Sequence, residues 1–182
     1  MIILGLGASE PGKWGTPAQT VARCAEELSR HGIRVLRPSR LFETAGVGPG
    51  RESTYVNAVI AIDSHLPPLA LWRLLKRLER NAGPRSAMPW GPRALDIDIL
   101  DYKGLVLGWP QAGRRRARRG VPARRSLPVT LPHPAIQFRP FVLVPLLDVA
   151  PSWRHPVLGH SARELWGRIA RRREGRVLRA LA

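Results

Sequence analysis

Cysteine is nearly missing from this chain, acids are scarce, and long apolar runs are absent. Cys24 is the only cysteine, which excludes an internal disulfide and a cysteine-built metal site. It falls on the apolar stripe of a predicted helix and reads as a small buried hydrophobe. No apolar run reaches the roughly 20 residues needed to cross a bilayer. The first residues lack the basic start and small-residue cleavage site of a signal peptide. A soluble cytoplasmic protein with no membrane contact is the expectation.

The shortage of acids leaves 13 Asp+Glu against 30 Lys+Arg, a formal net charge of +17. Such an excess points to a polyanionic partner, either nucleic acid or a small molecule. The excess is concentrated, however. Residues 114–125, RRRARRGVPARR, hold seven arginines and no acid, and five more arginines follow from Arg171 onward. Outside those stretches the chain is only modestly basic, which fits a small polyanion bound by a domain with basic appendages.

What is present suits one globular domain over residues 1–182: 44% hydrophobic and 24% charged residues, enough to bury a core. MIILGLG (1–7) reads as a buried strand ended by glycine. Thr16-Pro17-Ala18-Gln19 has the form of a capping box with proline at the first helical position. The helical period behind it stops at Gly32. A strand over 33–44, interrupted at Pro38, precedes a glycine-rich loop, and TYVNAVIAID (54–63) is the next strand. Pro67-Pro68 opens a second helix with Leu71, Leu74, Leu75 and Leu78 on one face, and ALDIDILDY (94–102) is again a strand. The order β-α-β-β-α-β predicts an α+β fold with a ferredoxin-like core: an antiparallel sheet, both helices on one face, and the other face or its rim available for a site. A short strand (104–108), a basic insertion at about 110–127 and a C-terminal helical extension follow. The extension holds PFVLVPLLDVAP (140–151) and a second capping box, Ser161 with Glu164.

The chemistry concentrates in WGPRALDIDIL (90–100). Side chains two apart on a strand share a face, so Asp96 and Asp98 project together while Leu95, Ile97 and Ile99 point the other way. Two carboxylates so placed are either a solvated polar face or a hard oxygen-donor site for Mg²⁺, which completes its shell with water and substrate phosphates. Arg93, on a Gly-Pro turn three residues upstream, favours the second reading because it can reach a phosphate held there. His133 in LPHP and Arg139 add phosphate hydrogen-bond donors. Tyr55 and Phe141 are either core aromatics or stacking platforms for a flat ring, and Asn57, on the face of Tyr55, can read a heterocycle edge.

With these pieces in order, the chain resembles the 6-hydroxymethyl-7,8-dihydropterin pyrophosphokinase family of folate biosynthesis. The resemblance runs through LFETAGVG (41–48), YVNAV (55–59), Glu79, WGPRALDIDIL (90–100), LPHP (131–134), RPFVLVPLLDVAP (139–151) and HPVLG (155–159). It implies ATP as co-substrate, two Mg²⁺ ions on Asp96 and Asp98, and phosphates on Arg93 and Arg139. It also implies Trp90 in a closing loop, with His133, Thr130 and Glu79 on the nucleotide side. The pterin would lie between Tyr55 and Phe141, with Asn57, Thr44 and Val47 at its edge. The family carries Gly-Arg soon after the second helix, where this chain has Gly83-Pro84-Arg85, and the resemblance implies that Arg85 would take that arginine's catalytic role. Where the family has proline after the threonine of its pterin loop, this chain has Ala45-Gly46. A monomer acting on small molecules is expected. The other reading is a divergent member whose basic loop binds nucleic acid or an acidic partner. An Asp-x-Asp strand would repel phosphates unless metal intervened, so the sequence leans to the enzyme.

Overall fold

A computed structural model describes residues 1–46, 54–84, 92–109, 128–171 and 175–181. The basic insertion predicted at 110–127, and with it any partner of that loop, lies outside the described residues. Among the described residues six strands, four α-helices and one 3₁₀ turn follow in order: β1 (Ile2–Ala8), α1 (Pro17–Arg30), β2 (Arg34–Pro38), β3 (Phe42–Ala45), β4 (Thr54–Asp63), α2 (Pro68–Ala82), β5 (Asp96–Tyr102), the 3₁₀ turn (Ile136–Phe138), α3 (Pro140–Val149), α4 (Ala162–Ile169) and β6 (Val177–Ala180). All strand pairs are antiparallel. Along the sheet the order is β5-β1-β4-β3-β6, and β2 also pairs with β4.

Local signals explain most boundaries. Thr16 and Ser161 close both bonds of their capping boxes, with Gln19 and Glu164 as partners. Proline opens α1, α2 and α3, where a missing N–H costs no helical bond. Two expectations are corrected. The single strand over 33–44 is two strands, β2 and β3, lying one after the other along β4. Pro38 cannot donate to a ladder, and Ser39 instead sends its amide to the Val59 carbonyl and receives the Val59 amide on its hydroxyl. The strand over 104–108 is reduced to a single bridge between Leu107 and Leu131. β6 arises in the basic tail, where its exposed residues left no apolar alternation to read.

Both faces of the sheet are covered, each with its own core. Ile2, Leu4, Leu6, Ile60, Ile62, Ile97 and Ile99 pack under α1 and α2. Ile3, Val59, Ala61 and Leu100 pack under α3 and α4. α3 is apolar almost all round, the pattern of a helix without a solvent face. The second face is therefore only partly open, and the site occupies the strip that α3 leaves uncovered. Cys24 is buried, and burial pushes its thiol up to about 12, so it behaves as the expected small hydrophobe. Among the described residues no helix is long and apolar enough to cross a membrane.

His155 is 1% exposed, with Trp109 and Trp153 edge-on at 5.0 and 5.7 Å. Its Nδ1 accepts the amides of Val157 and Leu158, so the neutral ring carries its proton on Nε2. Burial pushes its pKa down from 6.5 to about 4. The folded protein thus binds fewer protons than the unfolded chain between those values, and stability must fall as pH drops from about 6.5 to about 4. His155→Asn keeps an acceptor for the two amides and removes the titration. Urea midpoints of this variant should fall less than those of the wild type between pH 7 and pH 4.5. Parallel curves would show that His155 does not set that slope.

Candidate active site

The site begins with the register of three strands. On β1, Gly7 stands opposite Asp96 of β5 on one side and Asn57 of β4 on the other. Gly5 stands opposite Asp98 and Val59. Directly opposed residues point to the same face, so each aspartate has a glycine, and no side chain, as its neighbour across the ladder. The alternation in LGLG thus places leucines in the core and leaves a flat floor of backbone beside the carboxylates. Asn57 marks the far side of this floor. Its Nδ2 donates to Thr44 Oγ1 at 2.7 Å, and a Cβ on Gly7 would lie 2.8 Å from its Oδ1.

Above the floor is a cavity of about 460 Å³. Of the residues predicted from sequence, Arg93, Asp96, Asp98, His133, Arg139, Thr44, Tyr55, Asn57 and Phe141 all line it. They come from β3, β4, β5 and the entrances to β5 and α3, so only the fold brings them together. Glu79 and Thr130 are not lining residues. Val47, Arg85 and Trp90 lie outside the described residues. Lys76, Phe138, Gly5 and Gly7 line the cavity without having been singled out in the sequence. Lys76 had a legible signal, since it precedes Glu79 by three residues, one turn along α2.

Cations gather round the carboxylates. Arg93 Nη1 is 2.8 Å from Asp96 Oδ1. Arg139 Nη1 donates to Asp98 Oδ2 at 3.0 Å, and His133 Nε2 is 3.5 Å from the same oxygen. Burial works to raise the Asp98 pKa, yet His133, Arg139 and Lys76 together hold it below the ordinary carboxylate value. Burial, helped by Arg139 and opposed by Asp98, pushes His133 itself toward the neutral form. His133 Nδ1 accepts the Ala135 amide at 3.1 Å, which leaves the proton of the neutral ring on Nε2, the nitrogen nearest Asp98. The Arg139 guanidinium also lies 5.6 Å from the centre of the Phe141 ring, so one side chain joins the charged end of the cavity to its aromatic end.

Glu79 works from beneath. Its carboxylate is 8% of the way exposed as a residue, accepts the Ile97 amide at 2.7 Å and pairs with Lys76. Burial raises its pKa, against the pull of Lys76 and the Ile97 amide. It thereby ties α2 to the peptide between the two aspartates and holds Lys76, whose Nζ also donates to the Ile97 carbonyl. The donor set suits a hard divalent cation: two half-exposed carboxylates on one face and room for phosphate oxygens beside them. Among the described residues no third carboxylate, histidine or cysteine completes a metal-binding cluster with them. Mg²⁺ commonly takes only one or two carboxylates and fills the rest of its shell from substrate and water.

The arrangement of the sheet and its helices is also found among solved structures. The chain is similar in fold to a crystal structure of wild-type Plasmodium falciparum HPPK-DHPS, with a TM-score of 0.64, 14% identity, and coverage of 92% of this chain and 44% of that one. In sequence it is 34% identical over 134 residues to a 2-amino-4-hydroxy-6-hydroxymethyldihydropteridine pyrophosphokinase of Synechocystis, covering 74% of this chain and 60% of that protein. It is also 34% identical over 150 residues to the protein of that name from Methylorubrum extorquens, covering 82% of each. A mitochondrial folate synthesis bifunctional protein of Pisum sativum is 30% identical over 78% of this chain, which spans only 26% of that relative. The 7,8-dihydro-6-hydroxymethylpterin-pyrophosphokinase family model matches residues 3–151, and the chain belongs to that family.

Removing the Glu79 acceptor would strand a buried peptide N–H and an ammonium. Glu79→Ala should lower unfolding free energy by about 3 kcal/mol. Glu79→Gln, which keeps an acceptor for the Ile97 amide, should lose clearly less in the same urea titration. Equal losses would show that the tie to Ile97 is not what matters.

Proposed function

We propose that the chain transfers the β,γ-diphosphate of ATP to 6-hydroxymethyl-7,8-dihydropterin and releases AMP. The observation that carries this reading is the row Asp96–Gly7–Asn57, which sets a carboxylate and an amide at opposite sides of a bare backbone floor. A flat heterocycle laid beside Asn57 would present its hydroxymethyl group toward the charged end. Tyr55 and Phe141 would stack on the ring, and Asn57, its amide orientation set by Thr44, would read the ring edge.

At the other end, Arg93, Arg139 and Lys76 would take phosphate oxygens, exchanging carboxylate partners for phosphate ones. His133 would donate from Nε2. Asp96 and Asp98 would hold Mg²⁺, which when bound neutralises phosphate charge and steadies the attacking and leaving oxygens. In the transfer the hydroxymethyl oxygen bonds to the β-phosphorus as its proton passes to solvent water. The bond from that phosphorus to the α–β bridging oxygen breaks, and AMP departs with the oxygen. Such chemistry needs no enzyme nucleophile; it needs alignment and fixed positive charge, which this cleft supplies. ATP dependence and action in the cytoplasm as a monomer belong to this reading.

Incubation with ATP, Mg²⁺ and the pterin alcohol should yield AMP, and ADP as sole nucleotide product would reject the proposal. Asp96→Ala and Asp98→Ala should each lower turnover by about a hundredfold or more. Gly7→Ala tests the floor: its methyl would crowd Asn57 Oδ1 and the bound ring. The KM for the pterin should rise about tenfold, while calorimetric affinity for a non-hydrolysable ATP analogue stays near the wild-type value. A loss shared equally by both ligands would contradict the assignment of that side of the cavity to the pterin.

A further inference from the structure

Arg93 precedes the first ladder residue of β5, so strand pairing of β5 does not fix it. Its peptide is held from outside the strand. The Ser9 amide donates to the Arg93 carbonyl at 2.9 Å, the Glu10 amide donates to the same carbonyl at 3.2 Å, and the Arg93 amide donates to Ser9 Oγ at 3.0 Å. Ser9 thus satisfies both polar groups of one residue 84 positions away. The segment that carries Ser9 is itself wedged in place. The Lys13 amide donates to the Ala82 carbonyl at 2.6 Å, at the end of α2. A Cβ on Gly12 would sit 2.7 Å from the Ala94 Cβ, and one on Gly83 would meet the same atom at 2.7 Å. Only residues without a side chain let the link between β1 and α1 pass between the end of α2 and the start of β5.

We infer that Ser9, which does not line the cavity, is a positioning residue for Arg93 and so for the phosphate end of the site. The inference rests on the pyrophosphokinase reading for the role of Arg93. Arginine has a long stem and many rotamers, so a guanidinium is aimed only as well as its backbone is held. Here the backbone is held at both peptide groups, and the guanidinium reaches Asp96 Oδ1 at 2.8 Å. Since Ser9 directly follows Ala8, the last residue of β1, one strand lays the glycine floor and anchors the arginine beside it. Removing the hydroxyl would leave the Arg93 amide without its acceptor and free one side of that peptide.

The test is a double-mutant cycle of Ser9→Ala with Arg93→Ala, with Ser9→Thr as the conservative variant. AMP release should fall about tenfold in kcat/KM for ATP in Ser9→Ala and recover to within about threefold in Ser9→Thr. In the Arg93→Ala background the Ser9→Ala loss should vanish, a coupling that a merely structural hydroxyl would not produce. The same cycle is run on calorimetric affinity for a non-hydrolysable ATP analogue. If the wild type releases no AMP, the reaction assignment fails, and coupling in the affinity cycle still decides the role of Ser9. Ser9→Ala with wild-type kinetics, a loss carried unchanged onto Arg93→Ala, no gain on Ser9→Thr, or a Ser9→Ala chain that fails to fold would each overturn the inference.

Discussion

Two carboxylates on one strand face, two residues apart, are the constraint around which this molecule is arranged. Like charges so close raise each other's energy, and a partly buried site sharpens the cost. The fold answers with positive charge from Arg93 before β5, Lys76 on α2 and Arg139 at the start of α3, and with the Nε2 donor of His133 ahead of the 3₁₀ turn. Three of these four groups are themselves tied to the scaffold. Glu79 holds Lys76, the Ala135 amide orients His133, and Ser9 holds the Arg93 backbone. The same groups that stabilise the aspartates are those that would meet a triphosphate, so folding and binding draw on one electrostatic arrangement.

The sheet serves this arrangement by being two-faced along its length. Where α3 and α4 cover the second face, β-branched and leucine side chains fill it; where they do not, glycines and polar groups do. On β1 the change occurs within one strand. Ile3 belongs to the α3 core, whereas Gly5 and Gly7, on the same face, open into the cavity. On β5 it runs from the polar Asp96 and Asp98 to the buried Leu100. Cavity and core are thus one surface with a change of residue type partway along.

Much of this was readable one element at a time. The capping boxes at Thr16 and Ser161, the leucine face of α2 and the shared face of Asp96 and Asp98 are consequences of local periodicity, and each stands as expected. The break between β2 and β3 was not readable, because Pro38 announces an interruption but not that both pieces pair with β4. β6 was hidden because an exposed edge strand need not alternate. Lys76 was legible only as a neighbour of Glu79, one turn earlier on α2, and not as a residue of the cleft. Ser9 carried no signal at all, since its partner lies 84 residues away. The resemblance pointed to Glu79, but not to its carboxylate facing the Ile97 peptide beneath the cavity.

The sequence by itself determined most of the elements and the pair of carboxylates, because these rest on spacing within short segments, where side-chain direction follows from backbone period, and its motifs carried the resemblance to the family. Only the tertiary structure decided that glycines stand opposite both aspartates, that α3 and α4 close most of the second face, and which cations reach the carboxylates. Those facts depend on cross-strand register and on contacts between residues distant in the chain. Their cost is paid in loop closure, and no local pattern records the partner chosen.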